Sequence, residues 1–380
     1  MPDKIPSFDL TRNYARVKEE VRVSVDRVLE TQHFIMGPEV ENFEKEMSAY
    51  LDVQQTAACA SGTDALVLAL MDLDLKEGDE VITTPFTFFA TASCITRTGA
   101  RPVFADVEPD SYNLSMEAVL EKITPRTKAV IPVHLFGQTC KLELIKEELE
   151  KRNIKLVEDC AQAIGAHRIV NGEIWRAGAV GDLGCFSFFP TKNLGCYGDG
   201  GMISIPRDEA AAARIKKLRV HGAGTTYFHE EIGINSRLDA IQAAILRVRL
   251  RHLEEWNEER RIVADRYKTL LGEKGLLEVI KPPVEQQGNR HVYHQYVVRA
   301  TRRDELMQFL AERGVVTRIY YPLSLHLQPC FSYLGYREGD FPVSEMLTRD
   351  VLALPIFPEL LPEEQIRIVD EIAAFYGGQK

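Results

Sequence analysis

Several things are scarce in this chain of 380 residues, and each scarcity excludes a class of protein. The seven cysteines (Cys59, Cys94, Cys140, Cys160, Cys185, Cys196 and Cys330) are odd in number and scattered, and no CxxC pair occurs, which argues against a disulfide framework and a zinc ribbon and for a reducing compartment. No apolar run approaches the ~20 residues of a membrane span, and MPDKIPSFDL lacks the apolar core of a signal peptide. The expected location is therefore cytoplasmic, with no membrane partner. Positive charge is in the minority: Lys and Arg number 46 against 56 Asp and Glu, a net charge of −10, which speaks against general nucleic-acid binding. GxxxxGK[ST], GxGxxG and HExxH are all missing, so phosphate-loop, dinucleotide and zinc-protease chemistry have no support, and the nine His show no metal-ligand spacing; no metal is expected.

What is present reads as a soluble α/β protein. Val17, Val21, Val25, Val28 and Leu29 recur at helical spacing over 13–31, and Pro38 opens a second helix with Val40, Phe43, Met47 and Leu51 on one face. Short apolar runs at 56–60, 81–84, 102–107, 129–133 and 156–157 then alternate with helical stretches near 63–73, 87–98, 115–123 and 141–152. That alternation predicts a mainly parallel sheet covered on both faces. Asn171-Gly172 centres a hairpin over 168–175, 201–205 is a further strand, and 208–219 is helical. One long charged helix is expected over 236–274, followed by a strand (293–299), a helix (303–313), a strand (315–320) and a last helix opened by Pro362 and Glu363. The expected division is a large domain over 1–250 and a small C-terminal α+β domain over 251–380.

Four segments could carry chemistry. Ala60-Ser61-Gly62-Thr63 ends a strand and starts a helix, which suits a phosphate monoester or is an ordinary N-cap. Asp159 ends an apolar strand on the side where open α/β sheets bind ligands, so it either meets a cation such as a protonated pyridine nitrogen or caps the next helix. Lys192 stands between a Phe-rich segment (Cys185–Pro190) and a Gly-rich turn (Gly195–Gly201); apolar surroundings would lower its pKa and free the amine to attack a carbonyl, whereas most lone lysines are structural. Gly233–Asp239 heads the long helix, where Asn or Ser is a standard cap. In order, these parts supply what is needed to hold pyridoxal 5′-phosphate (PLP) and use it as an electron sink.

The chain resembles the DegT/StrS-type nucleotide-sugar aminotransferases, within the fold-type I PLP-dependent transferases. The resemblance runs from about Ile5 to Tyr376 through GPEVENFE, SGTDAL, GDEVITTPFTFFAT, VEDCAQAIGA, SFFPTKNLGCYGDGG, INSRLDAIQAAIL and YYPLSLHLQP. It implies a large domain with a mainly parallel seven-stranded sheet, and it implies roles. Lys192 is the Schiff-base lysine and proton shuttle; Asp159 pairs with the ring nitrogen; Gln162 lies near the ring hydroxyl; Gly62, Thr63 and Ser187 hold the phosphate; and Phe88 stacks on the ring. Asn235 reaches the phosphate of a neighbouring subunit and Arg237 the neighbour's sugar, which implies a homodimer with shared sites, while Tyr320, Tyr321 and His326 line the sugar pocket. Tyr320 departs from the His often found there.

Lys192, where a dehydrating branch of the family carries His, favours transamination, with glutamate as amino donor and the pyridoxamine phosphate form as intermediate carrier. KNLGCYGDGG resembles the subgroup acting at C3 of a keto-hexose, including UDP-2-acetamido-3-keto-hexuronate aminotransferases. The expected product is an amino sugar, for polysaccharide or related biosynthesis. The alternatives are a non-catalytic PLP- or sugar-nucleotide-binding regulator, or a different PLP reaction on the same scaffold.

Overall fold

The computed structural model describes residues 4–225 and 227–377. Asp9 caps the first helix, α1 (Leu10–Thr31), by accepting from the N–H groups of Thr11 and Arg12. Pro at the first position starts α2 (Pro38–Leu51). The alternating region follows: β1 (Gln55–Cys59), α3 (Gly62–Asp72), β2 (Glu80–Thr83), α4 (Ala90–Arg97), β3 (Arg101–Phe104), α5 (Met116–Lys122), β4 (Thr127–Ile131), α6 (Lys146–Lys151) and β5 (Lys155–Asp159). The hairpin β6 (His167–Val170) and β7 (Glu173–Arg176) leads to β8 (Leu183–Ser187), β9 (Gly201–Ile205) and α7 (Glu209–Leu218).

Seven strands form one sheet in the order β1-β9-β8-β5-β4-β2-β3. Only β9 runs against its neighbours; the other six point the same way. Alternate side chains face opposite layers. Ala57, Cys185 and Ile203 pack under Leu66 and Leu70 of α3, Ile95 of α4 and Ile215 of α7. Ala58, Phe186 and Met202 pack against Phe43 and Met47 of α2. The segments after β1, β2, β5 and β8 therefore emerge at one edge, where open α/β sheets place ligands.

Beyond a small ribbon of β10 (Ala223–Thr225) and β11 (Phe228–His229), the expected long helix is two: α8 (Ala240–Leu250) and α9 (Leu253–Glu273), separated by a turn at Arg251–His252. The C-terminal region comprises β12 (Ile280–Lys281), β13 (Asn289–Arg290), β14 (Tyr296–Ala300), α10 (Arg303–Glu312), α11 (Pro342–Asp350), β15 (Val351–Leu354) and α12 (Pro362–Gly377). β12, β14 and β15 form an antiparallel sheet whose core takes Tyr267 from α9, Leu306 and Leu310 from α10, Ile368 and Ile372 from α12, and Ile5 from the other end of the chain. The strand expected over 315–320 is not one: Val315 makes a single bridge to Ile5 and Arg318 another to Ala353, and the edge position is taken by β15. No helix among the described residues is long and apolar enough to cross a membrane.

Candidate active site

The turn from β1 into α3 is tied down from three sides. Ser61 caps α3, its Oγ accepting from the Asp64 N–H at 3.1 Å. Ser236 Oγ donates to Asp64 Oδ2 at 2.7 Å and accepts from the Ala60 N–H at 3.1 Å, locking the 235–237 segment onto the same turn. Gly62 lies so close to β8 that a β-carbon on it would stand 2.6 Å from Ser187 Cβ, and one on Gly201 would run into the Ser61 carbonyl oxygen. Gly201 pairs with both Cys59 and Ser187, so two positions without side chains bring the start of α3 against Ser187. The first N–H groups of a helix have no intrahelical acceptor and favour an anion, and here they share a cradle with a serine hydroxyl. Asn235 and Ser236 are not the cap of the next helix; Asp239 holds that position.

Across the edge, two consecutive carboxylates at the end of β5 differ sharply. Glu158 is fully buried and satisfied, accepting from His134 Nε2 (2.7 Å) and the N–H groups of Gly178, Val180 and Gly181. Burial alone would raise its pKa, but His134 and the backbone donors outweigh it and hold the carboxyl below its ordinary range. The Cys140 N–H donates to His134 Nδ1, so Nε2 carries the proton toward Glu158. Of the buried grouping of His134, Glu158 and Cys160, the first two are thereby committed to hydrogen bonds.

Among the described residues, Asp159, 4% exposed, accepts only from Thr91 Oγ1 (2.8 Å) and the Ala161 N–H (3.1 Å), and no cation lies within ion-pair distance. Burial pushes its carboxyl up, against the pull of Thr91, Ala161 and the nearby Lys192. A buried carboxylate without a cation is costly, and a protonated ring nitrogen would relieve it. Gln162 is oriented at both ends: Oε1 accepts from the Phe136 N–H at 2.8 Å and Nε2 donates to Tyr321 Oη at 3.1 Å. Thr91 and Ser236 escape sequence reading because a hydroxyl on a helix or loop carries no local signal of its distant partner.

Lys192 sits on a tight loop. Its N–H donates to the Phe189 carbonyl and the Cys196 N–H to that of Phe188, both at 2.8 Å. The ammonium has no hydrogen-bond or ion-pair partner among the described residues. Burial draws its pKa from 10.5 to about 8, the charge of Asp159 pulling the other way. An amine so placed is a competent nucleophile and proton carrier near neutral pH.

The remaining expected residues fall into two sets. Phe88 is 58% exposed, Asn235 is exposed, and Arg237 is half-buried with no ion pair among the described residues. Tyr320 packs beside Tyr321, ring centres 5.9 Å apart. His326 is not brought to this group: it is buried, bonds Glu345 Oε1 through Nε2 at 3.0 Å and packs 4.7 Å from the Phe341 ring in a cluster with Phe104 and Phe331.

The family model for DegT/DnrJ/EryC1/StrS aminotransferases matches residues 15–373. The chain belongs to that family. Two relatives of this aminotransferase illustrate its breadth: a "pleiotropic regulatory protein" of Geobacillus stearothermophilus, 45% identical over 98% of both chains, and a UDP-N-acetyl-3-dehydro-alpha-D-glucosamine 3-aminotransferase of Acidithiobacillus ferrooxidans, 41% identical over 97% of both. Among solved structures, DesV of S. venezuelae, in complex with a ketimine intermediate, superposes with a TM-score of 0.93 at 38% identity, covering 98% of each chain. The aminotransferases of this family use PLP. The residues present fit it: a phosphate cradle at the start of α3, a buried carboxylate lacking a cation, and an unpartnered lysine amine.

Proposed function

We propose that this aminotransferase moves the amino group of glutamate onto the keto carbon of a nucleotide-linked sugar, C3 of a hexose or hexuronate carried on UDP or dTDP. The observation that carries the reading is that a Lys192 amine without a partner among the described residues, its pKa lowered by burial, stands at the same sheet edge as a buried Asp159 carboxylate without a cation. KNLGCYGDGG and the relative from A. ferrooxidans support C3 as the position aminated.

PLP bound here supplies an electron sink through which an amino group can pass from donor to acceptor. Gly62, Thr63 and Ser187 would hold its phosphate, Asp159 would meet the ring nitrogen, Gln162 would approach the ring hydroxyl, and Phe88 would cover one ring face. Lys192 Nζ would be the point of attachment for the cofactor and, when free, would take a proton from the donor α-carbon and return one to the sugar carbon. The depressed pKa suits both tasks, since a base poised near the working pH can accept and release a proton.

A homodimer with shared sites completes the reading. Exposed Asn235 would reach the cofactor phosphate of the neighbouring subunit, and Arg237, without an ion pair of its own, the nucleotide-sugar phosphates or carboxylate. Tyr320 and Tyr321 would line the sugar pocket; His326 would have to act from behind it. A relative named a regulatory protein does not displace this reading, because a binding module has no need of an intact Lys192, Asp159 and Gln162.

The test is a panel of 3-keto and 4-keto UDP- and dTDP-sugars with glutamate, with amino-sugar product read by mass spectrometry. Amination of a 3-keto substrate is expected, and Lys192→Ala should abolish it while leaving a folded chain. Full activity of Lys192→Ala, or amination confined to 4-keto sugars, overturns the catalytic or the positional half of the reading respectively.

A further inference from the structure

The residue after Lys192 belongs to a buried amide network that the expected roles leave unused. Asn193 is 5% exposed, and both hydrogens of its Nδ2 are committed: one to Asn257 Oδ1 (2.7 Å), the other to the Val292 carbonyl (3.0 Å). Its Oδ1 must then be an acceptor, so the 3.2 Å contact with His294 Nδ1 places the His294 proton on that nitrogen. Asn257, on α9, is fully buried, and its Nδ2 donates to the Ile164 carbonyl at 3.2 Å, two residues beyond Gln162. A β-carbon on Gly165, a residue at φ +86°, would run into the same Nδ2. A chain of hydrogen bonds thus joins the Lys192 loop, through α9, to the segment that carries Asp159 and Gln162.

We propose that Asn257 and His294 are positioning residues that act through Asn193, fixing the Lys192 loop against the Asp159–Gln162 segment. The inference rests on the role of Lys192 proposed above. Three buried polar side chains from distant segments, with two backbone carbonyls, are satisfied together when the two loops stand in this one relation, and a buried amide with a missing partner is penalised. Catalysis of proton transfer depends on that relation, since displacing a reacting group by about 1 Å can cost on the order of 100-fold in rate. His294 also has to remain uncharged beside the amine. Burial, with the charges of Lys192 and Arg260, holds its pKa well below the ordinary histidine value; its hydrogen-bond partners among the described residues are the amides of Asn193 and Gln295.

The test uses the full-length chain and three variants. Asn257→Leu and His294→Leu remove the bonds at similar volume; His294→Asn keeps an N–H donor where Nδ1 stands. On the cofactor-free chain, the pH midpoint of Lys192 carbamylation by cyanate, read by mass spectrometry, reports the setting of the amine. It is expected near 8 in the natural chain and His294→Asn, and at least about 1 pH unit higher in both Leu variants as the loop opens to water. With PLP, kcat per bound cofactor should fall about tenfold or more in the Leu variants with the KM for glutamate within about twofold, and His294→Asn should restore it. If Asn257→Leu fails to fold, the two His294 variants decide. Leu variants that keep the midpoint and kcat, or lose thermal stability alone, overturn the inference. An active Lys192→Ala instead overturns the reading on which it rests, so the two failures are distinguishable.

Discussion

Adding one methyl group at Gly62 should strike the proposed phosphate cradle directly. The β-carbon of Gly62→Ala would lie 2.6 Å from Ser187 Cβ and 3.1 Å from both Ser187 Cα and Oγ. An ordinary carbon–carbon contact is about 3.5 Å, so roughly 1 Å must be opened. Ser187 is a paired residue of β8, opposite Gly201 of β9, so its backbone cannot yield cheaply and the first turn of α3 must lift away. Overpacking of this kind costs about 1–3 kcal/mol. That strain divides between the stability of the fold and the affinity for PLP, where each 1.4 kcal/mol is about tenfold in Kd. Urea unfolding of the cofactor-free chain and absorbance titration with PLP would measure the two shares, expected to sum to about 1–3 kcal/mol. Gly272→Ala is the control: its nearest outside atom is Leu277 Cδ1 at 3.9 Å, on α9, so it should gain up to about 1 kcal/mol and leave PLP affinity alone. Natural stability and natural PLP affinity in Gly62→Ala would refute the reasoning.

Lys192→Met should stabilise the cofactor-free chain at pH 7 by on the order of 1–3 kcal/mol. The folded amine titrates near 8 and the unfolded one near 10.5, so the unfolded chain binds the extra proton between them and stability rises with pH over that window; the gain from Met should therefore fade by pH 10.5, as urea melts at several pH values would show. Glu158→Gln sets an amide donor among three backbone N–H donors and should destabilise the fold by about 3–5 kcal/mol in the same assay. Asp159→Asn should lower kcat on the order of 100-fold, comparable to losing a charge-stabilising partner at a reacting centre; a change under threefold would count against its pairing with the ring nitrogen. Mixing Lys192→Ala and Arg237→Ala subunits, each inactive alone, should regain activity by forming one site free of both changes; a mixture that stays inactive contradicts sharing across a dimer.

β1 to β5 and the helices between them stand where apolar runs and helical spacing predict, because a sheet buried on both faces writes continuous Val, Ile and Ala segments. Other elements are silent for physical reasons. β8 is Leu-Gly-Cys-Phe-Ser, whose glycine and serine dilute any apolar run, yet it lies centrally because Gly184 admits Ser204 and Gly178 at close range. The break at Arg251–His252 contains no proline or glycine, so helical periodicity passes through it unmarked. β15 displaces the strand expected over 315–320 by pairing with β14, a contact that no local pattern announces. At the site, Lys192 and Asp159 stand out in the sequence because charged groups are unusual beside apolar runs, and Gln162 enters through the family resemblance. Thr91, Ser236 and Asn257 are not, because each matters only through a partner that is distant in sequence: Asp159, Asp64 and Asn193. His326 shows the converse: its motif suggests a pocket, while its Nε2 bonds Glu345, a contact that the local sequence does not announce.

The central claim is that Lys192, Asp159 and the α3 cradle together run glutamate-dependent amino transfer on PLP. Its most direct test is the absorption spectrum of the purified protein with PLP, before and after glutamate, beside Lys192→Ala. The account predicts a visible band from the Lys192-attached cofactor, converted by glutamate to the pyridoxamine phosphate form, and no such conversion in Lys192→Ala. A natural chain that shows no band in excess PLP, or a band that glutamate leaves unchanged, contradicts it.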